Sequence, residues 1–288
     1  MKLSWSNFSL DFSERTYIMG ILNVTPDSFS DGSLHLAKTA AIRRALQMVE
    51  EGADIVDIGG ESTRPGSEPV AVEEELRRTI PVIESLAKKV SVPLSIDTCK
   101  SEVAGKALDA GASIVNDISG LRFDTRMAKV LSEKKVPVVV MHIKGTPRDM
   151  QKNPVYEALI PEILDYLRGS VRLALASGVA EDMIIIDPGI GFGKTTENNL
   201  EIIHYLHEFT LLEKPLLIGP SRKAFAGSIL GGVPPEERLE GTAAAVAISI
   251  MNGANIVRVH DVKEMVKVAR VADAIKRMKI NKEIAGKA

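Results

Sequence analysis

"MIIIDPG", residues 183–189, is a short β-branched run that ends on a carboxylate and a turn. Three successive isoleucines leave no polar face, the pattern of a strand covered on both sides, as in a parallel sheet flanked by helices. The same form recurs as "YIMGILN" (17–23), "DIVDIGG" (54–60), "PLSIDT" (93–98), "SIVNDI" (113–118), "PVVVMHI" (137–143), "PLLIGPS" (215–221) and "NIVRVHD" (255–261), which makes eight runs. Between them lie stretches such as "AKTAAIRRALQMVEEG" (37–52), "AVEEELRRTIPVIESLAKK" (71–89) and "EALIPEILDYLRGSVRLALASG" (157–178). Their apolar residues fall at three- and four-residue spacing, and a glycine closes the first and third, so they read as helices. Eight buried strands alternating with crossover helices predict a closed parallel (β/α)₈ barrel, of the TIM type, in a single domain. Residues 16–278 are assigned to the barrel, 1–15 to an N-terminal hairpin over its bottom and 279–288 to a tail. No Ser/Gly-rich linker or low-complexity tract offers a second domain a place to begin.

The 288 residues are 45% apolar, enough for a sizeable core, and 36 basic against 38 acidic residues leave a formal charge of −2. That balance carries no footprint for nucleic acid or an anionic membrane, so a small-molecule partner is expected. Cys99 is the only cysteine, which excludes an intrachain disulfide and suggests a reducing compartment. The N-terminal residues show no signal-peptide h-region, and no segment reaches the roughly 18 uninterrupted apolar residues of a membrane span. A soluble, cytoplasmic protein is therefore expected. The stretch "GTAAAVAISIMNG" (241–253) is apolar nearly all round, although the outer face of a barrel helix should carry charge. A homodimer interface would cover it; tight packing of a small-residue helix on its neighbours is the alternative.

In this fold the active site is built at the C-terminal strand ends. Read in order, those ends deliver Asn23, Asp57 with Glu61 beyond, Asp97, Asn116 with Asp117, His142, Asp187, Ser221 with Arg222 and Lys223, and Arg258 with His260. Any one of them could be an ordinary helix cap or turn residue. All eight ends together are harder to explain that way, because Asp97, Asp187, Arg258 and His260 sit in or beside apolar runs, where an unpaired charge is costly. Arg258 and His260, two apart on one strand, share a face, with Val257 and Val259 on the other. They are expected to form a cationic pair that binds an anion, phosphate above all, against the competing reading of a structural salt bridge. Asp97, Asn116 and Asp187 would face the same cavity. Two carboxylates and an amide suit a flat heterocycle with several N–H donors. A metal cluster competes, but His or Cys at metal-ligand spacing is lacking. "PGIGFGKT" (188–195) resembles a P-loop only superficially, since Pro188 stands where that motif requires its first glycine. Cys99 has no adjacent base and reads as a packing residue.

Together "GILNVTPDSFSDG" (20–32), "GGESTRPG" (59–66), "SIDT" (95–98), "VNDISG" (115–120), "MHIKGTP" (141–147), "DPGIGFGK" (187–194), "SRK" (221–223) and "RVHDV" (258–262) resemble the dihydropteroate synthase family of pterin-binding enzymes. The resemblance runs from about residue 17 to residue 275 with the motifs in family order. It implies a transferase of folate biosynthesis that joins 6-hydroxymethyl-7,8-dihydropterin diphosphate to 4-aminobenzoate, releasing 7,8-dihydropteroate and diphosphate, with Mg²⁺. By the same resemblance Asp97, Asn116, Asp187 and Lys223 read the pterin, with Met141 lining its pocket. Asn23, Arg258 and His260 take the diphosphate, with Asn23 toward Mg²⁺. Thr63, Arg64, Pro65, Phe192 and Ser221 surround the aminobenzoate, and Phe29 closes over it. Asp97, Lys223, Arg258 and His260 are the implied catalytic set. The family's mechanism, in which diphosphate leaves before the weak aryl amine attacks, needs no covalent nucleophile. The polar loops after the first and second strands would be its substrate lids. One departure is visible: Ser33 stands where the first loop often ends in a second glycine. Two other readings share the pterin pocket: a methyltetrahydrofolate:corrinoid methyltransferase, which would have no use for Arg258 with His260 or for "SRK", and a non-catalytic pterin-binding paralogue.

Overall fold

The computed structural model describes residues 1–25 and 34–278. Phe29, most of the loop after the first strand and the tail assigned to 279–288 lie outside them. An antiparallel hairpin, β1 (Lys2–Trp5) and β2 (Phe8–Asp11), opens the chain. Eight parallel strands follow: β3 (Tyr17–Asn23), β4 (Ile55–Gly59), β5 (Leu94–Asp97), β6 (Ile114–Asp117), β7 (Val138–Met141), β8 (Ile184–Asp187), β9 (Leu217–Ile218) and β10 (Ile256–Val259). They pair in the order β8-β7-β6-β5-β4-β3-β10-β9. A parallel bridge between Ile186 and Leu216 joins β8 to β9 and closes the barrel.

Each strand returns through the outer layer. The crossovers are α1 (Leu34–Glu51), α2 (Val72–Leu86), α3 (Ser101–Asp109), α4 (Met127–Lys134), α5 (Leu159–Ala176), α6 (Thr196–His204), α7 (Ala224–Ile229) and α8 (Leu239–Met251), with α9 (Val262–Lys276) after β10. Strand β9 is the short one. The run 215–221 promises more, but Gly219 and Pro220 follow Ile218, and proline has no N–H to extend a ladder.

The period-two alternation of strand side chains stacks the barrel interior in layers. The lower layer is apolar: Met19, Ile55, Ile114, Val139, Ile185, Leu217 and Ile256 form one buried cluster. Leu3, Trp5, Leu10 and Phe12 belong to the same cluster, so the N-terminal hairpin plugs the bottom of the barrel. One pleat higher, two residues along, the chemistry reverses on β4, β6, β8 and β10. Ile55 gives way to Asp57, Ile114 to Asn116, Ile185 to Asp187 and Ile256 to Arg258. The intervening residues, among them Val56, Val115, Ile186 and Val257, pack outward against the helices in the main core.

Candidate active site

Arg258 occupies the centre of the polar layer. Its Nε donates to Asp57 Oδ2 at 2.6 Å and its Nη2 to Asp97 Oδ2 at 2.6 Å, and Asn116 Nδ2 donates to the same Asp57 oxygen at 3.0 Å. Four strands are thereby tied together, with Asp57 and Asn116 almost wholly buried. Asp57 Oδ1 and Asp97 Oδ1 are buried with no protein partner, so the cluster retains acceptor capacity. Burial pushes the Asp97 carboxyl up, and Arg258 opposes that shift while Asp57 adds to it. The strand-end pattern by itself gives Asp57 no role, although a carboxylate inside an apolar run is a signal of one.

Asp187 ends β8 beside this cluster. Its Oδ1 accepts the Gly189 N–H at 2.7 Å, and burial raises its pKa to about 6, opposed by that hydrogen bond and by Lys194, Arg258 and Lys223. Lys223 is half-buried with its ammonium 4.2 Å from the Phe192 ring centroid, and burial and then Arg258 bring it down to about 8. Met141, Ile118, Ile143, Met150 and Phe192 supply an apolar wall, with Cys99 packed against it. Burial and nearby carboxylates push the Cys99 thiol well above its ordinary value, which disfavours the thiolate.

The expected pair of cations at Arg258 and His260 needs correction. Burial and then the Arg258 charge push His260 down to about 3, so its imidazole is neutral. Its Nδ1 lies 3.0 Å from Ser221 Oγ, and the same hydroxyl accepts the His260 backbone N–H at 3.1 Å. Arg258, meanwhile, is engaged by two carboxylates. The mouth thus presents one paired guanidinium, a neutral imidazole and a hydroxyl.

The "SRK" turn owes its shape to Arg222, which adopts a left-handed φ of 56°. Such a backbone costs a non-glycine residue about 1–3 kcal/mol and persists where its surroundings hold it. Here Arg222 N–H donates to Thr242 Oγ1 at 3.0 Å, Arg238 donates to Arg222 O at 2.9 Å, and the Arg222 guanidinium pairs with Asp261. Ser221 and Lys223, on either side, are thereby presented to the cavity.

Thr63, Arg64 and Pro65 lie outside this packed group, on the loop after β4, with Arg64 and Pro65 exposed. The root of that loop is fixed: Lys100 pairs with Glu61 and, at 2.5 Å, with the fully buried Glu75, while Arg78 donates to Gly60 O at 2.8 Å. Its tip touches the segment after β7, where Gly66 N–H donates to Pro147 O at 2.9 Å. Asn23 ends β3 at the cavity rim, near Gly59 and Asp97. Among the described residues no group of three or more His, Cys, Asp or Glu side chains could hold a metal ion.

A barrel with a polar, charge-paired layer above an apolar plug and an apolar wall beside it is a receptacle for a flat polar ring. Residues 19–260 match the family described as pterin binding enzyme, and the chain belongs to that family. It is 50% identical over 267 residues to dihydropteroate synthase of Synechocystis, covering 93% of this chain and 92% of that one. With the enzyme of the same name from Escherichia coli it shares 44% identity over 282 residues, covering 98% and 99%. Among solved structures, Yersinia pestis dihydropteroate synthase with a sulfonamide drug complex superimposes with a TM-score of 0.91 at 41% identity, covering 96% of this chain and 100% of that one. The Xanthomonas albilineans enzyme in complex with 7,8-dihydropteroate gives 0.87 at 38% identity, covering 97% and 100%.

Proposed function

We infer that this chain is a transferase with dihydropteroate synthase activity, condensing 6-hydroxymethyl-7,8-dihydropterin diphosphate with 4-aminobenzoate. Carrying that inference is the polar layer of the barrel, in which Asp97, Asn116 and Asp187 converge from three strands beside an apolar wall. Asp187 and the free Asp97 oxygen are acceptors for the amino and ring N–H groups of a pterin, Asn116 is bonded into the same cluster, and Met141 lies against the ring. Lys223, at the other side of Phe192, serves a ring acceptor.

The C–O bond breaks and diphosphate departs with its electron pair from the pterin methylene carbon; the arylamine then attacks that carbon and loses a proton to solvent. Stabilising the leaving anion falls to Arg258, His260 and Asn23 at the mouth. His260 enters this step neutral, and the arriving phosphates favour its protonation. Mg²⁺ fits this donor set: it is commonly held by one or two protein oxygens with substrate phosphates completing its shell, and Asn23 offers such an oxygen. When bound it neutralises charge developing on the diphosphate. Thr63, Arg64, Pro65, Phe192 and Ser221 form the aminobenzoate side, the first three on the loop rooted at Glu61.

No helix among the described residues is long and apolar enough to cross a membrane, and we place the protein in the cytoplasm because its single cysteine, Cys99, is a free thiol. We also propose a homodimer. Helices α8 and α9 expose a wholly apolar face made by Ile248, Met251, Val271 and Ile275, which are 49%, 45%, 62% and 60% exposed. A continuous patch of this kind marks a docking surface, and a second copy presents the same face in return.

Incubation of the protein with the pterin diphosphate, 4-aminobenzoate and Mg²⁺ tests the activity. Dihydropteroate and diphosphate are expected in equal amounts; a protein that binds pterin yet forms neither is the non-catalytic paralogue.

A further inference from the structure

We propose that Lys194 is a positioning residue for substrate binding: buried behind the cavity, it locks the turn after β8 and through it sets Asp187, Phe192 and Lys223. The proposal rests on the dihydropteroate synthase reading of the cavity in front of that turn. Lys194 is 3% exposed, and Phe192 and Gly193 of the same "GFGK" stretch are buried with it. Its Nζ donates to Phe192 O at 3.0 Å and lies 2.9 Å from His142 Nδ1, and burial pushes its pKa well below the ordinary lysine value. Burial, with the neighbouring cations second, keeps the His142 imidazole neutral, and in its Nε2–H tautomer Nδ1 accepts from Lys194. The ring of His142 is itself seated edge-on against Tyr166, with centroids 4.7 Å apart.

The turn that Lys194 grips permits no slack. Gly189, Gly191 and Gly193 have φ of 74°, 81° and 65°, all left-handed. A Cβ on Gly189 would stand 2.0 Å from His142 O, and one on Gly193 would stand 2.5 Å from Lys144 O, so the turn lies flat against the end of β7. Other polar ends of the turn are tied as well. Gly189 N–H goes to Asp187, Gly191 N–H to Asn199 Oδ1 at 2.7 Å, Gln151 to Gly191 O at 3.1 Å and Tyr156 OH to Gly193 O at 2.6 Å. Phe192 O belongs to this set, and Lys194 is the side chain that holds it. Both faces of the turn matter to the cavity. Its start fixes the Asp187 carboxylate, and its Phe192 ring and Gly191 abut the Lys223 side chain, which a Gly191 Cβ would meet at 3.0 Å.

Lys194→Met keeps the length of the stem and removes the donors. In the variant the dissociation constant for 6-hydroxymethyl-7,8-dihydropterin, by calorimetry, and the KM for 4-aminobenzoate should each rise about tenfold or more, while kcat at saturation falls less than threefold. A purely structural role would lower the thermal midpoint and leave the properties of the folded fraction unchanged. His142→Phe, which removes only the acceptor, should shift the same two constants in the same direction by a smaller factor, and it decides the matter if Lys194→Met does not fold. The proposal is overturned if the folded variants keep both constants within twofold of the parent, or if the loss falls on kcat alone. Because the parent enzyme is assayed alongside, failure of the cavity assignment would show as an inactive parent and not as a normal variant.

Discussion

Arg258 does two jobs that its sequence neighbourhood reveals only in part. It faces the mouth, where an anion would meet it, and it neutralises Asp57 and Asp97, to which it is bonded at 2.6 Å each. Arg258→Ala should therefore slow turnover by roughly 10²–10³, the scale for losing one charge-stabilising donor. It should also destabilise the fold by about 3–5 kcal/mol, because a buried Asp57 is left without its cation. Denaturant unfolding beside steady-state kinetics would separate the two. Asp187 predicts a pH effect whose sign is fixed by its raised pKa of about 6. Only the carboxylate accepts pterin N–H donors, and those donors lower its pKa in the complex. Affinity for the free pterin alcohol should thus fall as the pH drops through about 6, on top of any fall from protonation of Asp97, which is raised to about 7. Asp187→Asn should remove the lower part of that acid limb, leave the part due to Asp97, and weaken binding by about 2–5 kcal/mol, measured by calorimetry. The facing direction of Arg258 was legible from two-residue alternation. What it faces was not: Asp57 is 201 positions away, and burial, with the Arg258 charge second, makes His260 a neutral base.

The strands and the loops they launch divide the labour. An apolar residue low on a strand and a polar one two positions later is a pattern written plainly in "DIVDIGG", "SIVNDI", "MIIIDPG" and "NIVRVHD", and it places plug and site without any knowledge of contacts. The hairpin β1-β2 completes the plug, so Leu3→Ala should cost about 2–5 kcal/mol of stability with KM values unchanged, because the cavity lies at the opposite end of the barrel. The loop after β4 behaves differently. Its root is held by the Lys100 bridge between Glu61 and Glu75, while Thr63 and Arg64 extend beyond it. Lys100→Met should raise the KM for 4-aminobenzoate several-fold and leave pterin affinity nearly unaltered, a split that competition assays with each substrate would show. No local pattern announces this bridge, since it joins a strand end, a helix and the following loop. Nor does sequence show that β9 stops after two residues, or that Lys194 in "GFGK" turns inward to His142, 52 positions earlier.

Taken entire, the protein is a barrel whose lower end is sealed, whose upper end is charged and whose flank is apolar along α8 and α9. If that flank is a self-complementary interface, Val271→Asp places a charge at the exposed centre of the patch. Sedimentation velocity should then show a shift from dimer to monomer with the barrel still folded, whereas an unchanged sedimentation coefficient would mean that the face is not the interface. On the proposed assignment of the site residues, the two substrates meet very different surfaces. For the pterin, Asp57, Asp97, Asn116 and Arg258 are already bonded to one another and Asp187 is pinned by Gly189. For the aminobenzoate, Arg64 and Pro65 stand exposed on a loop. Such a division makes the pterin site preformed and leaves the second site to be completed by the first ligand, at the entropic cost of ordering loop groups. Titration calorimetry with 4-aminobenzoate reads this out, first on the empty protein and then on protein saturated with pterin, diphosphate and Mg²⁺. Negligible heat in the first titration and a saturable heat in the second are expected; tight aminobenzoate binding to the empty protein would contradict it.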